Sequence, residues 1–243
     1  IVKIKKYVSF RGGFYHLNQP DIIKATTPMP TQNKQYANLW VFEHPVIQDK
    51  LTVIRDKNTK HVQFRRLLNE IAGLMFFQLS RKYETKQVKV CTPVEESTGV
   101  QLANPITLVP ILRAGIGMTD GILAMIPEAR VGHIGLFRNE KTKEPVPYYC
   151  KLPKDIASGP VLLIDPMLAT GGSASYAATV LAEHGCTDVQ MVCLVTAPEG
   201  VQKMQKEHPS LSIYTASLDR CLNENGYILP GLGDAGDRIF GTL

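Results

Sequence analysis

The chain lacks most of the residue patterns that announce a chemistry. Five cysteines (Cys91, Cys150, Cys186, Cys193, Cys221) form no CxxC and no regular spacing, and an odd count in 243 residues argues against a disulfide framework. Buried or idle thiols in a reducing, cytoplasmic setting are expected. The histidines His16, His44, His61, His133, His184 and His208 make no HExxH or other close pairing, so no zinc site is expected. No apolar run approaches the ~20 residues of a membrane span. No GxxxxGK followed by Ser or Thr occurs, which excludes a nucleoside-triphosphate P-loop. With 44% hydrophobic and 20% charged residues, the composition is that of a soluble globular protein with a real core.

The net charge of +5 invites a nucleic-acid reading until its distribution is followed. Residues 1–40 hold six bases (Lys3, Lys5, Lys6, Arg11, Lys24, Lys34) against Asp21, and the other 203 residues carry 21 bases and 21 acids. The excess belongs to the N-terminal segment. That segment lacks periodicity and contains Gly12, Gly13, Pro20, Pro28 and Pro30. It reads as an extension or arm, 1–40, ahead of a body spanning 41–243. Its first 15 residues carry bases and no acids, which permits a targeting peptide, but the apolar stretch of a secretory signal is missing.

Within the body, Leu67, Leu68, Ile71, Leu74, Met75 and Leu79 recur at helical spacing between Phe64 and Tyr83. Ile106–Ile111 reads as a strand and is followed by a helical stretch through Met125; Val131–Phe137 reads as a second strand. Val161-Leu162-Leu163-Ile164 is the continuous apolar run of a fully buried parallel strand. A helix over Ser173–His184, a strand over Val189–Val195 and another near Ile213–Ala216 complete an alternating α/β pattern. This predicts a mainly parallel sheet flanked by helices, with ligands beyond the carboxyl ends of its strands.

The most informative stretch is Asp165-Pro166-Met167-Leu168-Ala169-Thr170-Gly171-Gly172-Ser173, between the buried strand and the next helix. Backbone amides at a helix N-terminus fit a phosphate, the glycines admit close approach, and the Thr170 and Ser173 hydroxyls can donate to it. A carboxylate just upstream accepts hydrogen bonds from vicinal hydroxyls. Diol and phosphate together describe a ribose 5-phosphate.

This string resembles the phosphoribosyl diphosphate (PRPP) motif of type I phosphoribosyltransferases, in the variant of their uracil phosphoribosyltransferase branch. Most type I relatives have two adjacent acids where this chain has Asp165-Pro166, a departure shared with that branch. Leu108 to Gly115 is similar to the family's second loop, with Arg113 as a cation toward the diphosphate and Ala114-Gly115 allowing close approach. Phe137 to Tyr149 resembles the mobile arm that closes over the site, with Arg138 as a second cation. Gly231-Leu232-Gly233-Asp234-Ala235-Gly236 formally matches the dinucleotide fingerprint GxGxxG, but Pro230 precedes it and only seven residues follow, so no βαβ unit can be built on it. The longer string Tyr227 to Arg238 instead resembles the uracil-binding hood. The resemblance runs from about Leu51 to Leu243.

The resemblance implies a type I phosphoribosyltransferase fold with a C-terminal hood, and conversion of uracil and PRPP to UMP and diphosphate by a glycosyltransferase of pyrimidine salvage. It implies PRPP contacts from Arg113, Ala114, Gly115, Arg138, the loop Asp165 to Ser173, and Asp234. Catalytic roles fall to Asp165, Arg113, Arg138 and Asp234, and uracil contacts to Tyr227, Ile228, Gly233, Asp234 and Ala235. Mg²⁺ is expected, bound mainly through PRPP. No histidine lies in any of the four motifs, so no general base is assigned. The family is commonly homodimeric or homotetrameric and in part GTP-activated; Arg55, Lys57 and Arg65 are basic enough to contact such a nucleotide, though exposed salt-bridge partners explain them better. A second reading is a non-catalytic regulator on the same fold that senses nucleotides or binds RNA. Near-zero charge over 41–243 and the intact hood disfavour it, and no nucleic-acid or membrane partner is expected.

Overall fold

The computed structural model describes residues 30–138 and 145–242. Two short strands, β1 (Thr31–Gln32) and β2 (Leu39–Val41), lead into helices α1 (Pro45–Arg55) and α2 (His61–Leu79). An antiparallel hairpin, β3 (Thr85–Cys91) and β4 (Glu96–Leu102), follows as a separate two-stranded sheet whose residues are largely exposed. The body then alternates: β5 (Thr107–Leu112), α3 (Ile116–Leu123), β6 (Arg130–Val131), β7 (His133–Arg138), β8 (Pro145–Lys151), β9 (Val161–Ile164), β10 (Met167–Leu168), α4 (Gly172–Glu183), β11 (Val189–Thr196), α5 (Pro198–Glu207) and β12 (Ser212–Leu218). A small hairpin, β13 (Cys221–Leu222) with β14 (Ile228–Leu229), and helix α6 (Ala235–Phe240) end the described chain.

The main sheet runs β1-β2-β12-β11-β9-β5-β7-β8, with β2 through β7 parallel and the two outermost strands antiparallel. The α/β, mostly parallel architecture read from the sequence is therefore present. The expected division at residue 40 needs correction: it falls inside β2, which pairs with β12, and Leu39 is 0% and Tyr36 4% exposed. Residues 31–40 thus belong to the sheet, while 1–29 lie outside the described residues.

Why the strands are apolar throughout follows from the layers. Along β9, Leu162 and Ile164 face a core shared with α1, α2, α3 and α6, whereas Val161 and Leu163 face the core under α4 and α5. A strand buried on both faces has no polar side, so alternation disappears. Helix α2 supplies the first core with Phe64, Leu67, Leu68, Ile71, Met75 and Leu79. Each contributes on the order of 1.5–3 kcal/mol by burial, an upper range given a compact unfolded chain.

The chain leaves β5 toward β7 on one side and returns to β9 on the other. Helices α3 and α4, which follow β5 and β9, pack on opposite faces of the sheet. The loops after these two adjacent strands therefore diverge, leaving a crevice at the topological switch point.

Candidate active site

Asp165 continues β9 into that crevice, its amide donating to the Val192 carbonyl at 3.2 Å. The loop beyond it is held from below. The Pro166 carbonyl accepts from the amides of Leu194 and Val195 (2.9 and 3.1 Å), and the Leu168 carbonyl accepts from the Ala197 amide (2.9 Å) and Thr196 Oγ1 (3.2 Å). Gly171 stands at the cap of α4 with φ +79°, a conformation that costs an L-residue about 1–2 kcal/mol. A cavity of about 140 Å³ is lined by Pro145, Asp165, Met167, Leu168, Ala169, Thr170, Gly171, Gly172, Ser173 and Ala174. Its floor is the start of α4, whose first amides have no intrahelical partner and carry the positive end of the helix dipole. The cavity suits a phosphate. A larger one, about 470 Å³, opens beside Gly159, Pro160, Thr187 and Asp188 at the amino ends of β9 and β11, away from all four motifs.

Among the described residues, the Asp165 carboxyl receives one hydrogen bond, from the Met167 amide at 3.4 Å. Burial pushes it up to about 7; the Met167 amide opposes the shift, and the negative charge of Asp234 adds to it. At neutral pH the group is poised between its two forms, and a hydroxyl or cation brought to it stabilises the carboxylate.

The second loop lies directly beside this one. Gly115 packs so tightly that a Cβ would stand 2.4 Å from the Ile164 carbonyl, the residue before Asp165. Arg113 is exposed, its guanidinium 6.0 Å from the centroid of Phe240 on α6, and no ion pair among the described residues occupies it. A cation with no ion-pair partner among the described residues is available to an anion. Arg138 ends β7, and Pro145 opens β8 opposite it in the antiparallel register. Residues 139–144 of the expected arm, and the Arg138 side chain, lie outside the described residues. Pro145, where the chain of the expected arm re-enters the sheet, walls the phosphate cavity, a role no local sequence signal announces.

The hood approaches from the third side. Asp234 caps α6 by accepting the Asp237 amide at 3.0 Å, and its charge is felt at Asp165. Gly233 (φ +79°) is exposed and Ala235 buried. Ile228 is buried in β14. The Tyr227 main chain is engaged, its amide donating to Asn223 Oδ1 and its carbonyl accepting from the Asn223 amide, both at 2.8 Å, while the residue as a whole is exposed.

Of the two roles weighed for Arg55, the structure shows the salt bridge, half-buried rather than exposed: Nη2 donates to Asp219 Oδ1 at 2.6 Å, and Nη1 donates to Asp219 Oδ2 at 2.8 Å and to the Gly231 carbonyl at 2.6 Å. Burial works to raise the Asp219 carboxyl, but hydrogen bonds from Arg55 and Ser217 outweigh it and hold the group below the ordinary carboxylate value. Lys57 and Arg65 are exposed. Sequence reasoning missed Asp219 because nothing local marks it.

A family profile described as "Uracil phosphoribosyltransferase" matches residues 41–242. A uracil phosphoribosyltransferase of Finegoldia magna is 53% identical over 203 residues, covering 83% of this chain and 97% of that one. Among solved structures, the AQ2163 protein of Aquifex aeolicus superposes with a TM-score of 0.80 at 33% identity, over 83% of this chain and 97% of its own. The adenine phosphoribosyltransferase of Trypanosoma brucei, solved with AMP, pyrophosphate and ribose-5-phosphate, shares the fold at a TM-score of 0.53 and 12% identity, over 84% and 91% of the two chains. With that profile covering most of the chain and relatives this similar along it, the chain belongs to the uracil phosphoribosyltransferase family.

Proposed function

We propose that this chain transfers the 5-phosphoribosyl group of PRPP to N1 of uracil, giving UMP and diphosphate, with the three loops at the switch point dividing the work. The amides and hydroxyls of Thr170 to Ser173 take the 5-phosphate, and the Asp165 carboxylate takes the ribose hydroxyls. Arg113, with Arg138 as a second cation from the arm, faces the diphosphate, and the main chain around Ile228, Gly233 and Ala235 reads the base. The observation that carries this reading is the convergence of three segments on one crevice: Gly115 of the second loop packs against the Ile164 carbonyl just before Asp165, and Arg113 of that loop lies 6.0 Å from the ring of Phe240 on α6, which Asp234 of the hood caps.

As the C1–oxygen bond to diphosphate lengthens, positive charge grows on the sugar and negative charge on the leaving group. The loop amides, set in place by the hydrogen bonds beneath the loop, and the Arg113 cation stabilise that separation. Uracil N1 forms the new bond as the diphosphate leaves, and the N1 proton departs with it. Asp165 and Asp234 are hard oxygen donors on the sugar side of the crevice, which fits Mg²⁺ held chiefly by PRPP; when bound it neutralises the departing polyanion. The reading includes a homodimer or homotetramer, and GTP activation for which Lys57 and Arg65 remain the exposed candidates.

Incubating the full chain with labelled uracil, PRPP and Mg²⁺ tests the reading. Labelled UMP is expected, and folded protein yielding none above the blank would overturn it.

A further inference from the structure

The hood is anchored by charge. Asp219, 6% exposed at the end of β12, accepts four hydrogen bonds: two from Arg55, one from Ser217 Oγ (2.7 Å) and one from the Gly231 amide (2.9 Å). Because Arg55 Nη1 also donates to the Gly231 carbonyl, the two members of one ion pair hold the two polar groups of one residue. The next carbonyl, that of Leu232, accepts from Arg238 Nη1 at 2.8 Å. The other terminal nitrogen of Arg238 donates to the Asp56 carbonyl at 2.6 Å, and its guanidinium lies 4.5 Å from the centroid of Phe64. Arg238 is 8% exposed.

Three charged side chains thus tie Gly231-Leu232 to the end of α1, the turn after it and the first residues of α2. This dipeptide connects Ile228 to Gly233-Asp234-Ala235. Apolar contacts would fill space here but fix no orientation, since they lack direction. A bidentate arginine–carboxylate pair fixes both distance and plane. The peptide planes that follow inherit that setting.

We infer that Asp219, together with Arg55, is a positioning pair for the base subsite, setting the height and tilt of the hood main chain and so the register of donors and acceptors offered to the pyrimidine edge. This rests on the proposed phosphoribosyl transfer to uracil. Asp219 touches neither substrate; it acts through Gly231.

The test is steady-state kinetics of the full chain and of Asp219→Asn, with uracil and PRPP varied separately. The KM for uracil is expected to rise about tenfold or more, while the KM for PRPP stays within about twofold. A variant that merely lost stability would lower the active fraction and with it the apparent kcat, leaving both KM values alone; that pattern, or an equal rise in both, overturns the inference. Should Asp219→Asn fail to fold, Arg55→Lys keeps the charge and loses the fork. It is expected to raise the uracil KM alone, and an unchanged uracil KM overturns the inference. The wild-type chain is the control: absence of UMP there refutes the proposed function, whereas turnover by wild type with an unaltered uracil KM in the folded variants refutes the positioning role.

Discussion

Asp165 at the end of β9 and Asp234 at the start of α6 lie far apart in the sequence, yet the charge on Asp234 adds to burial in raising the carboxyl of Asp165. Two like charges are kept in one crevice at a cost to the folded state, which is tolerable where a ligand hydroxyl or cation will later lie between them. The arrangement makes stability and activity respond oppositely to the same groups.

Asp165→Asn is expected to stabilise the free protein at alkaline pH. A carboxyl whose folded value, about 7, lies above its unfolded one near 3.8 binds more protons in the native state between those limits. Stability therefore falls as pH rises through that window and stays lowered above it. Removing the charge is expected to raise stability at pH 8 by roughly 1–2 kcal/mol, given partial exposure of the crevice, and to change it little at pH 3.5. Thermal melts at the two values check this; an equal Tm difference at both would refute the linkage. The same variant is expected to lose most transfer activity.

Gly171→Ala tests the phosphate loop. The residue has φ +79°, and a Cβ there would stand 3.0 Å from the Gly200 carbonyl and 3.2 Å from Lys203 Cβ on α5. Strain and contact together predict a loss of about 1–3 kcal/mol in chemical denaturation. Because the distortion falls at the entrance of α4, the KM for PRPP is expected to rise while that for uracil holds. Unchanged stability would show that the loop yields freely.

Arg113→Ala separates binding from folding. No ion pair among the described residues holds the guanidinium, and its ring contact with Phe240 lies at the surface. The expected outcome is a Tm near that of wild type with a marked loss in kcat/KM for PRPP, and partial retention in Arg113→Lys, which keeps charge without the planar fork. A Tm drop comparable to the activity loss would assign Arg113 to the scaffold.

How much of this was legible in the sequence depends on whether a feature is local. β9, its loop and α4 form one continuous stretch in which an apolar run, an acid, two glycines and an alternation of small and apolar residues each leave their mark, and all of it appears where expected. The β3–β4 hairpin gave no signal, because Thr85–Cys91 and Glu96–Leu102 bury neither face against the body and so carry no alternation. Helix α5 buries only Gly200, Val201 and Met204, too few for a visible stripe. Arg55 and Asp219 meet only after β12 has crossed the sheet to lie beside α1. At the level of sequence, Arg55 is one base in a charged turn; a salt bridge is the better reading of it, but nothing there names Asp219 as the partner.

Asp234→Asn tests the coupling with which the two carboxyls are joined. Asn caps a helix as well as Asp does, so the hydrogen bond to the Asp237 amide is kept and α6 retains its stability, whereas Asp234→Ala loses about 1 kcal/mol with the cap. Only the charge is removed. Without it the Asp165 carboxyl moves down, though burial, the larger of the two influences raising it, remains. If the ionised form of Asp165 holds the ribose hydroxyls, activity is lost as pH drops through its value in the free enzyme, and kcat/KM for PRPP reports that step. The acid limb of this profile is expected near pH 7 in the wild type and displaced to lower pH in Asp234→Asn, whatever the drop in the plateau. An acid limb that stays in place would mean that Asp234 does not set the charge state of Asp165, and that the limb belongs to another group.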